Sequence, residues 1–221
     1  MEPLTPRREE EHDVLNERKW DSRAETYDRR RFDYMRLMQE RLLRLVMLKP
    51  GMRFLDVGCG TGWAVRRVAA LLQGRGEFYG VDLSARMIEV AVAACPDCEN
   101  VRFLRANAER LPMEGEFFDC VVCSNSFHHY LHPSRALAEI RRVLKPGGRL
   151  YIMDLTADGP LMRRIDARVR AKEPEHVRFY SSREYRSMFG EALLRHVASR
   201  ITMPPMKVHI AEKPGGTPPA A

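Results

Sequence analysis

The sequence has no apolar run approaching the roughly 18 residues of a membrane span, and no internal repeat. Its first twenty residues, MEPLTPRREEEHDVLNERKW, contain no apolar stretch. No secretory signal is therefore expected, Arg7-Arg8 carries no weight as a twin-arginine signal, and the expected compartment is the cytoplasm. Lysine is scarce, 6 residues against 31 arginines. Cysteines are few and odd in number, five in all, which argues against a disulfide framework. Cys95 and Cys98 form one CxxC and Cys120 and Cys123 another, with 21 residues between the pairs. That lies just beyond the roughly 15–20 of a zinc ribbon. The second pair falls in FFDCVVCSNS, which reads as a strand, and positions three apart on a strand face opposite sides. No metal is therefore expected, and the cysteines read as buried, reduced, small hydrophobes.

What is present is a globular composition. The chain has 221 residues, 44% hydrophobic and 30% charged, enough for one well-buried domain but not comfortably for two. Net charge is 37 − 30 = +7, unevenly spread. Residues 1–28 carry five basic and nine acidic side chains, a balance of −4, whereas residues 161–200 carry ten and five, a balance of +5. A basic region can meet an anionic substrate, nucleic acid or a membrane surface, or be a solvated helical face.

Strand and helix patterns alternate along the chain. Tyr34, Met38, Leu42 and Leu45 repeat at helical spacing, predicting an amphipathic helix over about 32–48 that ends at Lys49-Pro50-Gly51. RFLDVG reads as a strand, followed by a glycine loop and a helix through Val65, Val68, Ala69 and Leu72. EFYGVDL, VRFLRA and FFDCVVCSNS read as three more strands, with Ser84 placed to cap a helix carrying Met87, Ile88 and Ala91. Pro133 suits the first turn of a helix through Leu137, Ile140 and Leu144. Lys145-Pro146-Gly147-Gly148 then leads to a fifth strand, RLYIMDL. A helical stretch follows at 160–190, then an antiparallel pair, HVASRIT and MKVHIAE, joined by Pro204-Pro205. The closing EKPGGTPPAA is rich in proline and glycine, and disorder is expected there. The fold class is thus α/β: a Rossmann-like, doubly wound, mostly parallel seven-stranded sheet with an antiparallel C-terminal pair and helices on both faces. In such sheets ligands sit beyond the carboxyl ends of the strands. Here those ends are polar or glycine clusters: DVGCGTG, VDLS, ANAE, SNSFHH and DLT.

The strongest local signal is Asp56-Val57-Gly58-Cys59-Gly60-Thr61-Gly62, between the first strand and the next helix. Its glycines permit a tight turn and close approach to a ligand, and the helix start offers free N–H groups. A dinucleotide fingerprint is GxGxxG over a pyrophosphate. Here the spacing is GxGxG, and Asp56 would repel a diphosphate; a cationic amino or sulfonium group would suit it. Asp82 ends the second strand, 20 residues past Gly62, where a carboxylate can accept both ribose hydroxyls.

The segments FLDVGCGTG, YGVDLS, FLRANAERLP, FFDCVVCSNSFHH and RVLKPGGRLYIMDL, in order over residues 50–156, resemble the successive motifs of class I S-adenosylmethionine-dependent methyltransferases of the small-molecule type. ANAERLP, FDCV and LKPGGRL are similar in particular to the ubiquinone/menaquinone-biosynthesis C-methyltransferases. The resemblance implies S-adenosylmethionine as cofactor, with S-adenosylhomocysteine as product. It implies that Asp56 and the loop Gly58, Cys59, Gly60, Thr61 and Gly62 hold the methionine portion. Asp82 would take the ribose, Leu83 would pack near the adenine, and Asn107 and Ala108 would flank its edge. Asn107 stands where some relatives carry Asp. Met87 belongs to the same implied binding set, and Ser124 would close the site from the fourth strand. Trp20, Tyr27 and Asp28 resemble an N-terminal segment that covers the cofactor, making residues 1–48 a helical lid on a domain of residues 49–212. Residues 213–221 form the tail.

The implied reaction is in-line displacement of the methyl group, in which the protein mainly aligns and desolvates. His128 and His129, beyond the fourth strand, are the candidate catalytic bases, His129 ahead of His128, with Tyr130 a further pocket candidate. Acceptor specificity is expected from the first 45 residues and the insertion at about 156–192. There Arg163, Arg164, Arg168, Arg170 and Arg178 accompany Phe179 and Tyr180, either as a receptor for an anionic or aromatic acceptor or as a solvated face. The expected acceptor is a small molecule, with RNA or protein as the alternative and a cofactor-binding scaffold without turnover as another. A monomer or homodimer is expected.

Overall fold

The computed structural model describes residues 5–30 and 32–215. The chain opens with helix α1 (Pro6–Arg30), then α2 (Phe32–Leu43). The alternating unit follows: β1 (Met52–Val57), α3 (Trp63–Leu71), β2 (Gly76–Asp82), α4 (Ala85–Ala93) and β3 (Val101–Arg105). Next come β4 (Phe118–Ser124), a 3-10 turn at Phe127–His129, α5 (Pro133–Val143) and β5 (Leu144–Leu155). The last elements are α6 (Pro160–Lys172), α7 (Ser182–Glu191), β6 (Arg195–Met203) and β7 (Met206–Glu212).

The seven strands form one sheet of order β3-β2-β1-β4-β5-β7-β6. β1 to β5 pair in parallel, while β7 runs antiparallel to both β5 and β6. Connections leave β1 in opposite directions, toward β2 on one side and β4 on the other, so their carboxyl ends open a crevice where ligands bind in this topology. The expected fold is the observed one, including the terminal pair.

The parallel strands are apolar on both faces because both are covered. Val121, Cys123, Leu150 and Ile152 pack with Leu137 and Ile140 of α5 and Tyr185 and Phe189 of α7. On the other face Phe54, Phe78, Val122 and Tyr151 pack with Met38 and Leu42 of α2 and Val65 and Val68 of α3. Local signals set the ends. Ser84 Oγ accepts from Met87 N at the start of α4, and Ser181 with Glu184 makes a capping box for α7.

Five details differ from the sequence expectation. α2 stops at Leu43, where Leu45 and Val46 donate to carbonyls three residues back and tighten the last turn. Leu144 starts β5 rather than ending α5. The stretch 160–190 is two helices, separated at 173–181 where Pro174 lacks a helical N–H. Lys213 belongs to the domain: it is buried, and its Nζ donates to the carbonyl of Leu144. The rest of the expected tail, residues 216–221, lies outside the described residues. Last, Cys95 and Cys98 are not reduced. They form a disulfide in the turn after α4, which brings their Cα atoms to 5.5 Å, within the bridging range. Cys59, Cys120 and Cys123 are free and buried as expected.

Candidate active site

The loop from β1 to α3 is shaped by what it must avoid. Gly58 N and Cys59 N donate to the carbonyl of Val81 at 2.8 and 2.9 Å, which folds the loop over the end of β2. Gly58 has φ +75, and a Cβ there would run into the Ser126 side chain. Gly62, also at φ +75, caps α3, and a Cβ would meet the Phe103 ring at 2.5 Å. Asp82 secures the loop from the next strand: its carboxylate accepts from Gly60 N (2.8 Å) and from Ser84 N (2.9 Å).

Beneath the loop lies Asp56, beside Gly80 on β2 and Val122 on β4. It is 1% exposed, and neither carboxylate oxygen has a hydrogen-bond partner. Burial first, then the charge of Asp82, pushes its pKa up to about 8. A buried carboxylate without a partner is costly, and a cation brought to it would be bound strongly.

Helix α1 covers the crevice and is tied down along its length. Glu9 accepts from His132 Nε2 (2.8 Å) and pairs with Arg135. Asp13 accepts from Asn107 Nδ2 at 2.8 Å. His12 Nε2 donates to the carbonyl of His129 at 3.0 Å. Lys19 pairs with Glu173 at 2.6 Å and with Glu175, and Asp21 accepts from Ser84 Oγ at 2.5 Å. The Trp20 ring meets both Tyr27 and His129 edge-on, at centroid distances of 6.1 and 5.4 Å. The side chain of Asp28 lies outside the described residues.

The pocket is lined from below by Gly58, Gly60, Asp82, Leu83, Met87, Asn107, Ala108 and Ser124, and from α1 by Asp13, Asn16, Trp20 and Tyr27. His129 and Tyr130 close one side. Among the described residues no lysine or arginine lines it. Burial raises the pKa of Asp82 against the pull of its two N–H donors, and raises those of Asp13 and Glu109 as well. With Asp13, Asp82 and Glu109 and no basic side chain among the described lining residues, the pocket suits a ligand with a cationic end and apolar flanks. Cys59 and Thr61 border a small neighbouring cavity with Tyr27 and Trp63, and Gly62 sits behind the loop against Phe103.

The two candidate bases part company. His129 is buried, and its Nδ1 lies 3.1 Å from the carbonyl of Glu175. A carbonyl only accepts, so Nδ1 carries the proton and Nε2 is bare. Burial, then the neighbouring His128, lowers the pKa of His129 well below the usual histidine value, so the ring is neutral. His128 does not line the pocket. Its Nδ1 turns to the fully buried Asp154 carboxylate, 2.8 and 2.9 Å from the two oxygens. The arginines of the insertion, at 163, 164, 168, 170 and 178, are exposed, while Phe179 and Tyr180 are buried. Asp13, Asn16, Glu109 and Ser126 are pocket residues that sequence reasoning did not find. Glu109 and Ser126 lie inside the recognised segments FLRANAERLP and FFDCVVCSNSFHH but were not singled out, whereas Asp13 and Asn16 carry no motif and reach the pocket only by the path of α1.

Sheet order, glycine loop and strand-end carboxylate together define a Rossmann-like methyltransferase. A solved S-adenosylmethionine-dependent methyltransferase from Aquifex aeolicus shares this fold, with a TM-score of 0.70 at 24% identity over 87% of this chain and 97% of that one. Residues 55–152 match the family described as a methyltransferase domain. The chain is 34% identical over 170 residues to the uncharacterized methyltransferase YcgJ of Bacillus subtilis, covering 75% of this chain and 66% of that sequence. The solved YcgJ structure superposes with a TM-score of 0.63 at 30% identity, over 73% of this chain and 70% of that one. Identity is also 34% over 134 residues with the ubiquinone/menaquinone biosynthesis C-methyltransferase UbiE of Ectopseudomonas mendocina, over 59% of this chain and 52% of that sequence. The chain thus spans between half and two thirds of these curated relatives. It belongs to the S-adenosylmethionine-dependent methyltransferases.

Proposed function

We propose that this protein transfers the methyl group of S-adenosylmethionine to a small-molecule acceptor by in-line displacement. The observation that carries this reading is the unpartnered, buried Asp56 carboxylate beneath the glycine loop. Ionised on ligand binding, it would favour a cationic group on the pocket side of the loop, where the resemblance implies the methionine amino end. The residues fit the cofactor in other respects. Asp82 would take the ribose hydroxyls, keeping its loop contacts to Gly60 and Ser84. Leu83, Met87, Asn107 and Ala108 would hold the adenine, with Asp13 reaching it from α1 beside Asn107. Cys59, Thr61 and Gly62 would act by shaping the loop rather than by lining the pocket.

When bound, S-adenosylmethionine supplies an electrophilic methyl group on a sulfonium with a good leaving group. The chain's own work is then alignment and exclusion of water. α1 performs both, because Asn16, Trp20 and Tyr27 roof the pocket. His129 presents a bare nitrogen at the pocket wall and would take a proton from an acceptor that starts protonated. An acceptor that fits beneath this roof is small, which favours a metabolite over RNA or protein.

The test is a thermal-shift titration with S-adenosylhomocysteine, with NADH and ATP as controls, since a ligand of the native state raises the melting temperature. A rise with S-adenosylhomocysteine alone is expected; acceptors would then be screened with methyl-labelled donor, small phenols and quinones first and RNA second. No rise at millimolar S-adenosylhomocysteine would overturn the cofactor assignment. A rise without methyl transfer to any acceptor would favour a cofactor-binding scaffold.

A further inference from the structure

Three histidines converge beside the pocket, two from the 3-10 turn after β4 and one from the link between α6 and α7. We propose that His128, His129 and His176 bind a divalent transition metal, zinc foremost, at the pocket wall.

One ring nitrogen from each lies within 4.8 Å of the other two. Each ring also has one nitrogen held by an acceptor. His128 Nδ1 meets Asp154, His129 Nδ1 meets the carbonyl of Glu175, and His176 Nε2 meets Asp166 Oδ1 at 2.8 Å. Carboxylates and carbonyls accept, so a proton on the held nitrogen of each ring leaves the other nitrogen with a free lone pair for a metal. That is the arrangement which orients metal-binding imidazoles and raises their basicity. The supports are firm: Asp154 and Asp166 are buried, and Asp166 also accepts from Phe179 N at 2.7 Å. Val177 N donates to the carbonyl of His128 at 3.0 Å, locking the third histidine's segment to the first two.

Ordinary packing explains this less well. Three imidazoles in ring contact, at centroid distances of 4.1, 5.2 and 6.2 Å, each with its own buried acceptor, are a costly way to fill space that apolar side chains would fill. Metal–nitrogen bonds of about 2.0–2.1 Å in a tetrahedral shell put nitrogens about 3.3 Å apart, so ring movements of about an ångström close the shell. Three imidazoles without thiolate suit zinc and its first-row neighbours. Three protein ligands leave one position open. Because His129 lines the pocket, that position adjoins the acceptor's end of it; a bound ion would occupy the nitrogen that otherwise takes the proton, and an oxygen or nitrogen donor of the acceptor could bind the ion instead.

The full chain, freed of metal by a chelator and dialysed, is titrated with Zn2+ and separately with Co2+. One ion per chain is expected, with a Co2+ spectrum of nitrogen and oxygen ligands and no thiolate charge-transfer band. His176→Gln should weaken Zn2+ at least about 100-fold, beyond the 10–100-fold typical of losing an outer partner, and leave the S-adenosylhomocysteine affinity within twofold. The double variant Cys95→Ser/Cys98→Ser should bind Zn2+ as wild type does. Failure of wild type to bind Zn2+ at 0.1 millimolar order (about 100 times a micromolar site), a thiolate band, or full retention in His176→Gln would each overturn the proposal. If His176→Gln does not fold, the Co2+ spectrum of wild type decides alone. Failure here leaves the methyltransferase reading intact, because S-adenosylhomocysteine binding is read separately.

Discussion

The floor of the pocket and its roof are made by the chain in different ways. The floor comes from short runs at consecutive strand ends, where Gly58, Gly60, Asp82 and Asn107 line the pocket and Asp56 lies buried just behind them, placed by the register of a parallel sheet. The roof and the side wall come from α1 and from residues 173–180, joined by contacts across more than a hundred positions, such as Lys19 with Glu173. The floor is rigid and generic to its architecture. The roof is particular to this chain, held by polar contacts that water can replace. Recognition of the cofactor would therefore reside below, and choice of acceptor above.

The sharpest challenge to the floor is pH. Asp56 keeps its proton to about pH 8 in the folded chain, whereas in the unfolded chain it loses it near pH 4. Between those values the folded state holds the extra proton, so stability falls as pH rises, by up to about 1.4 kcal/mol per pH unit from this group. Asp56→Asn should flatten that slope in denaturant titrations from pH 5 to pH 8. If the slope persists, the carboxylate is not stranded in the folded chain. Binding a cationic ligand should also release a proton in this range, visible as a buffer dependence in calorimetry.

Next in size, Gly62→Ala must place a Cβ at φ +75 against the Phe103 ring. It should cost about 3 kcal/mol of stability, from left-handed strain plus overpacking; a cost below about 1 kcal/mol would mean that the floor yields. Asp82→Ala should weaken S-adenosylhomocysteine by about 1–3 kcal/mol, the range for a charged hydrogen-bond partner. Unchanged affinity would remove Asp82 from the binding set. Lys19→Met strands the buried Glu175 at the roof and should cost about 1–3 kcal/mol of stability, the range for leaving a buried acceptor unpaired. Stopped-flow release of S-adenosylhomocysteine should quicken at the same time; an unchanged rate would mean that the roof does not restrain ligand. Smallest of all, Arg163→Ala with Arg164→Ala on the exposed face of α6 should move stability by no more than about 0.5 kcal/mol and leave transfer to a small acceptor unchanged.

The same division explains what the sequence revealed. Strands ending in DVGCGTG, VDLS and ANAE announced both the sheet and its floor, because a parallel register puts consecutive strand ends side by side. The Ser84 cap was legible for the same local reason. Asp13, Asn16 and His176 were not legible, because nothing in their own neighbourhood says which part of the molecule they will face. His128 shows the limit from the other side. It adjoins His129 in sequence, yet one ring turns to the pocket and the other to Asp154. The cysteines misled in a third way: an odd total was informative about a framework but silent about a single local bridge.

α1 is a highly charged helix, and the partners of Glu9, Lys19 and Glu25 include Arg135, Glu173 and Arg86, all near the surface. Bonds of this kind are screened over about 8 Å at physiological ionic strength. Ligand exchange beneath the helix is thereby coupled to the salt around the protein, so that dilute buffer would slow turnover by holding product in and concentrated buffer would quicken release at the expense of grip.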